Sequence, residues 1–336
     1  MSAASATVPA ARTSSLEGVA RRNAWTLGLF GFLVALLAFT KVINPDYGVA
    51  GLQSLAIAVL PLALATVGQA IVIISGGIDL SVSAMMALCG VIAASLMKDQ
   101  SAEFGLLVVI GVILLGLVLG AINGGVVVLT RVPDIVVTLA MTFVWAGFAL
   151  LVLKTPGGKS VGWLRQLVLG PMDIGPVTID VLPKALVVLL VVVGVAWIPL
   201  RRSRLGLSIY AIGSNRLAAF RSGVPVGRTR IAAYALTGLF AALGALSVVA
   251  STSIGDPKPG PYTLPAVAAV VLGGVSLAGG RGGVLGPLIA VVILQLIRTD
   301  MTFLNLDTNL AVVVQGLILI GVVMIGSFVQ FRRDRA

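Results

Sequence analysis

Residues 105–129 read GLLVVIGVILLGLVLGAINGGVVVL, an apolar run with no charged residue and one amide, Asn123. A helix needs about 20 apolar residues to cross a hydrocarbon core about 30 Å thick, and this run exceeds that. Such a helix has no polar face to turn toward water, so its surroundings are lipid or other protein. Similar runs extend to both sides: 24–41, 49–74 and 81–97 before it, and 135–153, 184–200, 230–250, 263–279, 284–300 and 310–330 after it. Together these make ten predicted spans. Pro61 falls near the middle of 49–74, where it predicts a kink or break of the kind bundles tolerate. The run 263–279 is short and ends in glycines, which leaves a re-entrant segment as its alternative.

Composition agrees with this reading across all 336 residues, of which 58% are hydrophobic and 10% charged. Mean hydropathy is +1.11. Soluble domains carry about a quarter charged residues, so this chain cannot cover its apolar content with a solvated surface. The expected fold class is therefore all-α, a polytopic membrane protein of about ten transmembrane helices whose partner is the lipid bilayer. Residues 1–23 are small, polar and aperiodic and read as a tail, with 24–336 as the transmembrane domain. The first apolar run is longer than a usual signal-peptide core and lacks a convincing cleavage site, which favours an uncleaved span.

The formal charge of +11 is segregated by loop. One side carries Arg12, Arg21, Arg22, Arg131, seven arginines between 201 and 230, Arg281 and three arginines after 331. That is fifteen of the 23 basic residues, together with four of the 12 acids: Glu17, Asp79, Asp134 and Asp334. The opposite side has eight of each sign. Both termini lie on the basic side, and the positive-inside rule makes that side cytoplasmic. The same segregation makes the charge a topological mark and excludes nucleic acid as the expected partner.

The chain has no histidine and one cysteine, Cys89, set in the apolar run MMALCGVIAAS. His-based catalysis, His-ligated metal and an intrachain disulfide are excluded by inventory. Cys89 reads as a small buried thiol. No cofactor and no metal are expected.

Several loops ask for more than topology. In SGGIDLSVSAMMAL (75–88), Gly76 and Gly77 can close a helix in left-handed geometry, and Asp79 reads either as the N-cap of the next helix or as a hinge. The run LGGVSLAGGRGGVLGPL (272–288) looks phosphate-binding but lacks the strand–loop–helix setting and the GK[ST] ending; Gly279, Gly280 and Arg281 then read as helix-end packing at the inner face. Gly158-Lys159-Ser160 is also discounted, because Leu153 stands where a P-loop needs glycine. Gly116/Gly120 and Gly120/Gly124 have the small-xxx-small spacing of closely packed helices. Segment 201–229 is the longest polar stretch on its side, and Leu217, Ala218 and Phe220 fit one face of a short helix opened by Ser214 or Asn215. The external segment 154–182, Gly/Pro-rich with Trp163, reads as lying along the membrane surface. Polar residues in or near spans are costly in lipid and are expected to face the bundle interior. Gln53, Gln69, Asn123, Thr138 and Gln315 are the candidates for a solute path.

The strings GGIDLSVSA (76–84), AINGGVVV (121–128), VPDIVVTLAM (132–141), SIYAIGSNRLAAFRSGVPV (208–226) and AVVLGGVSLAGGRGGVLGPL (269–288) together resemble the ribose-type monosaccharide permeases of bacterial ABC importers. The resemblance runs from about residue 25 to the end. It implies a multi-pass inner-membrane permease without a nucleotide-binding site of its own. It also implies a cytoplasmic ABC ATPase subunit, a periplasmic sugar-binding protein, and a second permease copy in a homodimer or a related pair. The loop between the sixth and seventh spans would couple to the ATPase, which assigns Asn215, Arg216, Ala218, Ala219, Arg221, Ser222 and Gly223 to that contact. Arg216 and Arg221 depart from the more usual acidic or neutral residues and suit acidic partners; Ser83 departs from a usual glycine. Nucleoside and branched-chain amino acid permeases share the general plan. A secondary carrier predicts intramembrane acids, which are scarce here, and a membrane enzyme lacks a nucleophile–base pair.

Overall fold

The computed structural model describes residues 24–174 and 177–307, with seven further positions between 310 and 324. The helices are α1 (Ala24–Ile43), α2 (Val49–Ile74), α3 (Val82–Met97), α4 (Ala102–Thr130), α5 (Asp134–Val152) and α6 (Gly162–Val168). A hairpin of β1 (Pro171–Ile174) and β2 (Val177–Pro183) follows. Then come α7 (Lys184–Arg202), α8 (Arg204–Ser214), α9 (Arg216–Arg221), α10 (Val226–Thr252), α11 (Thr263–Leu272) and α12 (Leu285–Phe303).

Among the described residues seven helices are long and apolar enough to cross a membrane: α1, α2, α4, α5, α7, α10 and α12. Two more predicted spans are apolar helices of fewer than 18 residues. The run 81–97 becomes α3, with 16 residues and about 24 Å of rise. The run 263–279 becomes α11, with ten residues and about 15 Å. The tenth run, 310–330, lies largely outside the described residues; its described positions are helical. Pro61 does not break α2, which continues unbroken to Ile74.

Helix boundaries follow local chemistry. Ser101 caps α4 by accepting from Phe104 N, with Glu103 in the first turn where the helix dipole favours an acid. Arg131 turns left-handed at φ 60 and Pro133 prevents continuation, so the chain reverses and α5 begins at Asp134. Ser203 separates α7 from α8, its hydroxyl accepting from Gly206 N at 3.0 Å.

Burial sorts the helices into an inner set and an outer ring. In α2, 89% of the spanning window is buried, against 11% in α1, 22% in α5 and 17% in α7. α2, α3 and α10 form the centre, and α3 is apolar on every side because protein surrounds nearly all of it. The ring presents Phe143, Leu151 and Val195 outward, as lipid-facing helices do.

The end of the bundle where α3 meets α4 is closed by segment 154–183. Lys159 N donates to Ala94 O, Gly157 bridges Gly255, and Gln53 Nε2 reaches Asp180 O at 3.1 Å. The hairpin in this segment is a strand element that an all-helical reading did not contain; Met172 pairs with Ile179 across it.

The two short helices share a starting point. Ser83 Oγ accepts from Thr263 N at 2.8 Å and from Tyr262 N at 3.2 Å, while Ser83 N donates to Thr263 Oγ1 at 3.0 Å. From this hydroxyl clamp α3 runs to the end closed by segment 154–183. α11 runs the other way and closes where Trp25 Nε1 donates to Leu272 O.

Candidate functional site: the glycine junction and the polar cleft

α2 ends in a Schellman motif. Gly76 adopts φ 83, Gly77 N donates to Val72 O and Gly76 N to Ile73 O. The second glycine string arrives at the same place, with Gly280 N donating to Ile74 O at 2.9 Å. Gly213 of α8 is wedged between them, and a Cβ there would overlap the Ile74 carbonyl oxygen. Gly76, Gly279, Gly280 and Gly213 therefore form one backbone-to-backbone junction. Gly77 lies against the Asp134 carboxylate and the Tyr234 hydroxyl. Arg281 is exposed beside the junction, where its carbonyl accepts from Ser276 N.

Asp79 is fully buried and does not cap α3, whose N-cap is Ser81. Its Oδ1 accepts from Ser81 N and Ser81 Oγ, and its Oδ2 accepts from Asn123 Nδ2 at 3.3 Å. Trp145 Nε1 donates to Asn123 Oδ1 at 3.1 Å, so both ends of that amide are committed. Thr138 Oγ1 accepts from Leu80 N and donates to Asp134 O. Asn123 and Thr138 thus hold segment 78–81 in place, and their polar groups do not line an open path. Gln53 is tied to the hairpin. Gln69 is buried with neither amide atom partnered among the described residues, and Gln315 lies outside them.

Beneath this network Arg230 Nη2 donates to both Asp134 oxygens, at 2.5 and 2.6 Å, and Tyr234 Oη donates to Oδ2 at 2.7 Å. Both members of the ion pair are largely buried. Removing one partner of such a pair strands the other charge, at a cost of about 3–5 kcal/mol. Asp134→Asn is accordingly expected to lower the melting temperature of the detergent-solubilised protein sharply, as read by intrinsic fluorescence. An unshifted melt would show that Arg230 finds solvent.

α9 is a short helix locked at both ends. Asn215 Oδ1 accepts from Ala218 N at 2.9 Å, and Gly223 at φ 82 closes a Schellman turn with Val224 N donating to Ala219 O. Ser222, the C-cap, donates its N–H to Ala218 O. Ala219 is buried against the protein, while Ala218 and Arg221 are exposed. Leu217 and Phe220, one turn apart, are 59% and 67% exposed. They fitted a helix face in the sequence, but nothing there showed that this face is the outward one. Tyr210 Oη ties the preceding helix to Gly282 O at 2.7 Å. Arg216 turns toward Arg230; burial and that neighbouring cation lower its pKa.

A cavity of about 310 Å³ lies between α2, α10, α11 and α12. Ser54, Ser251, Thr252, Tyr262, Gln295 and Arg298 supply its polar lining. A second cavity, of about 220 Å³, adjoins it across Tyr262 and Thr252, reaches down to Ser83, and carries Asp256 and Lys258 at its mouth. The sequence lists these polar residues without showing that four separate segments bring them together. Among the described residues no group of three or more His, Cys, Asp or Glu side chains has a metal-holding arrangement.

The family model described as "Branched-chain amino acid transport system / permease component" matches residues 51–323. Similar curated proteins include the "Autoinducer 2 import system permease protein LsrD" of Escherichia coli (strain K12) and of Shigella flexneri. Each is 29% identical over 323 residues, covering 94% of this chain and 95% of the relative. No solved structure matches. With the family match running from α2 past α12, the chain belongs to this family of permease components, multi-pass inner-membrane subunits of importers whose ATP is hydrolysed by a separate subunit.

Proposed function

We propose that the chain forms the path for a small polyhydroxylated solute of the monosaccharide class, handed to its outer cleft by a periplasmic binding protein and released inward under power from an ATPase seated on α9. The charge asymmetry of the loops supports cytoplasmic termini and about ten spans, with α3 and α11 as interrupted crossings. Interrupted helices in both halves of a transporter mark where solute binds, because their free ends and the adjoining irregular backbone face a cavity. A second permease, either another copy of this chain or a related subunit, completes the path.

The observation that carries the solute reading is the lining of the outer cleft. Hydroxyls from three elements, one amide and one guanidinium face about 310 Å³. That volume suits a single sugar ring, and those groups match its hydroxyls. The test is uptake into vesicles carrying the assembled importer, with labelled ribose, xylose and galactose set against leucine and adenosine. A monosaccharide is expected to accumulate. Gln295→Leu is expected to cut that uptake about tenfold, the scale of one lost hydrogen bond of about 1.5 kcal/mol. Exclusion of every sugar would overturn the reading.

One observation favours a second solute class. The smaller cavity is walled by Met86, Val248 and Val249, with the opposite charges of Asp256 and Lys258 at its mouth. That pattern suits a zwitterion with an apolar side chain, and leucine uptake in the same panel would select it.

A further inference from the structure

A third cavity, of about 460 Å³, opens at the inner end where α4 meets α5, and neither solute passage nor the exposed face of α9 uses it. Arg131, Arg216 and Arg230 converge on it from three separate segments, with Asp134 as the one acid in its wall. Arg230 is 7% exposed; its Nη2 is committed to Asp134, and its Nε is buried with no partner among the described residues. Asp134 already serves Arg230 and Tyr234, so it cannot also neutralise Arg131 and Arg216. The wall therefore carries two positive charges more than it can balance, plus one buried N–H donor left open. Arginine forks match phosphate oxygens in pairs, which makes an anion of that kind the natural counter-charge.

The surroundings say which phosphate. Val127, Val128, Val132, Pro133 and Val226 form the apolar part of the cavity wall. Leu114, Val118 and Ile122 follow one another at four-residue spacing along α4, and each is between 41% and 56% exposed. Leu129, next to the cavity, is 83% exposed, and Ile135 and Val136 flank it on α5. An apolar ridge thus runs along the membrane-facing side of α4 and ends at the arginines. A free anion would leave that ridge unused, whereas a phospholipid would place its headgroup among the arginines and its acyl chains on the ridge.

We infer that Arg131, Arg216 and Arg230 form a headgroup site for an anionic phospholipid of the inner leaflet, beside the helix α9. Such a lipid would brace the α4–α5 reversal against α9 and the first turn of α10, where Asp134 is the one acid against three arginines.

The test is native mass spectrometry of the full-length, delipidated protein with equimolar phosphatidylglycerol and phosphatidylcholine of matched acyl chains. Wild type is expected to retain phosphatidylglycerol about tenfold better, and the Arg131→Gln/Arg216→Gln variant to lose that preference. Both substituted side chains are exposed, so an unchanged melting temperature is expected alongside. Equal retention of the two lipids by wild type, or full preference in the variant, overturns the inference. Displacement of phosphatidylglycerol by millimolar inorganic phosphate would assign the cavity to a small free anion instead. A variant that keeps its lipid but no longer captures the ATPase would assign it to an acidic side chain of that partner. Should the double variant misfold, Arg131→Gln alone, at the exposed reversal between α4 and α5, carries the same comparison.

Discussion

Gly120→Val is expected to abolish recovery of folded protein, while Gly111→Val on the same helix leaves it near the wild-type level. α4 and α10 meet backbone to backbone. A Cβ at Gly120 would overlap the Tyr234 carbonyl oxygen, and one at Gly238 would come within 2.8 Å of Gly120 N. No rotamer change relieves a clash against main chain, so the helices would have to part along the whole contact. Lipid offers no hydrophobic force to pull them together again, because helix association in membranes depends on close packing itself. Overpacking costs of about 3 kcal/mol are therefore a lower bound at this position. Nothing lies within 4 Å of a Cβ at Gly111, which makes it the matched control. Gel filtration in detergent reads the result as the fraction eluting in a single symmetric peak. A normal profile for Gly120→Val would mean that α4 and α10 do not meet at this spacing.

Close packing at Gly116, Gly120 and Gly124 was legible in the sequence, because small residues four apart in an apolar run have few other uses, but its partner α10 was not. The ends of α2 were legible for a related reason: paired glycines at 76–77 can do what other residues cannot, and Gly76 takes the left-handed turn that a helix C-terminus favours. A cap for α9 at Ser214 or Asn215 was equally open to reading, and it is Asn215 whose side chain acts, within three residues. Hydropathy placed α3 to within a residue of its ends, but it does not distinguish burial in protein from burial in lipid: α3 has 16 residues and other helices as its surroundings. The run 263–279 continued through Val275 and Leu277, although Gly274 at φ 84 had already turned the chain away from helix.

Deep polar residues posed a harder problem. Asn123 and Thr138 were correctly placed in the interior, but the choice between a solute and a protein partner rests on residues far away in the chain. Asn123 meets Asp79 and Trp145, and Thr138 meets the backbone of Leu80. Ser83 shows the same limit from the other direction. It stood out as a departure from a usual glycine with no evident purpose, and its purpose is Thr263, 180 residues later. The polar cleft and the arginine cavity are likewise assembled from several segments, so no single window of sequence contains either.

Leu217→Asp with Phe220→Asp is expected to bring ATP-driven uptake to background while the protein keeps its wild-type melting temperature. The two side chains stand exposed on the outward face of α9, opposite the buried Ala219, so their replacement removes no contact from the interior. Exposed apolar side chains one turn apart are what a short helix needs to seat in an apolar groove of a partner, and a carboxylate forced into such a groove must be desolvated without compensation. Two central anchors at about 2 kcal/mol each would weaken the ATPase contact by roughly a thousandfold. The effect on transport follows from what lies behind α9. Its caps make the helix a stiff unit, one residue separates it from α8, and Gly213 of α8 is pressed against Ile74 and Gly280. Displacement of α9 by the proposed ATPase contact would thereby reach the end of α2 and the 279–283 loop, which Tyr210 also holds through Gly282. α2 in turn lines the cleft with Ser54 and Pro61, so under the proposed function one continuous helix would join α9 to the cleft. Co-purification of the ATPase with the tagged permease, followed by uptake in proteoliposomes, separates the steps. Loss of both is the expected result, whereas uptake at the wild-type rate would remove α9 from the drive and leave its exposed apolar face to another partner.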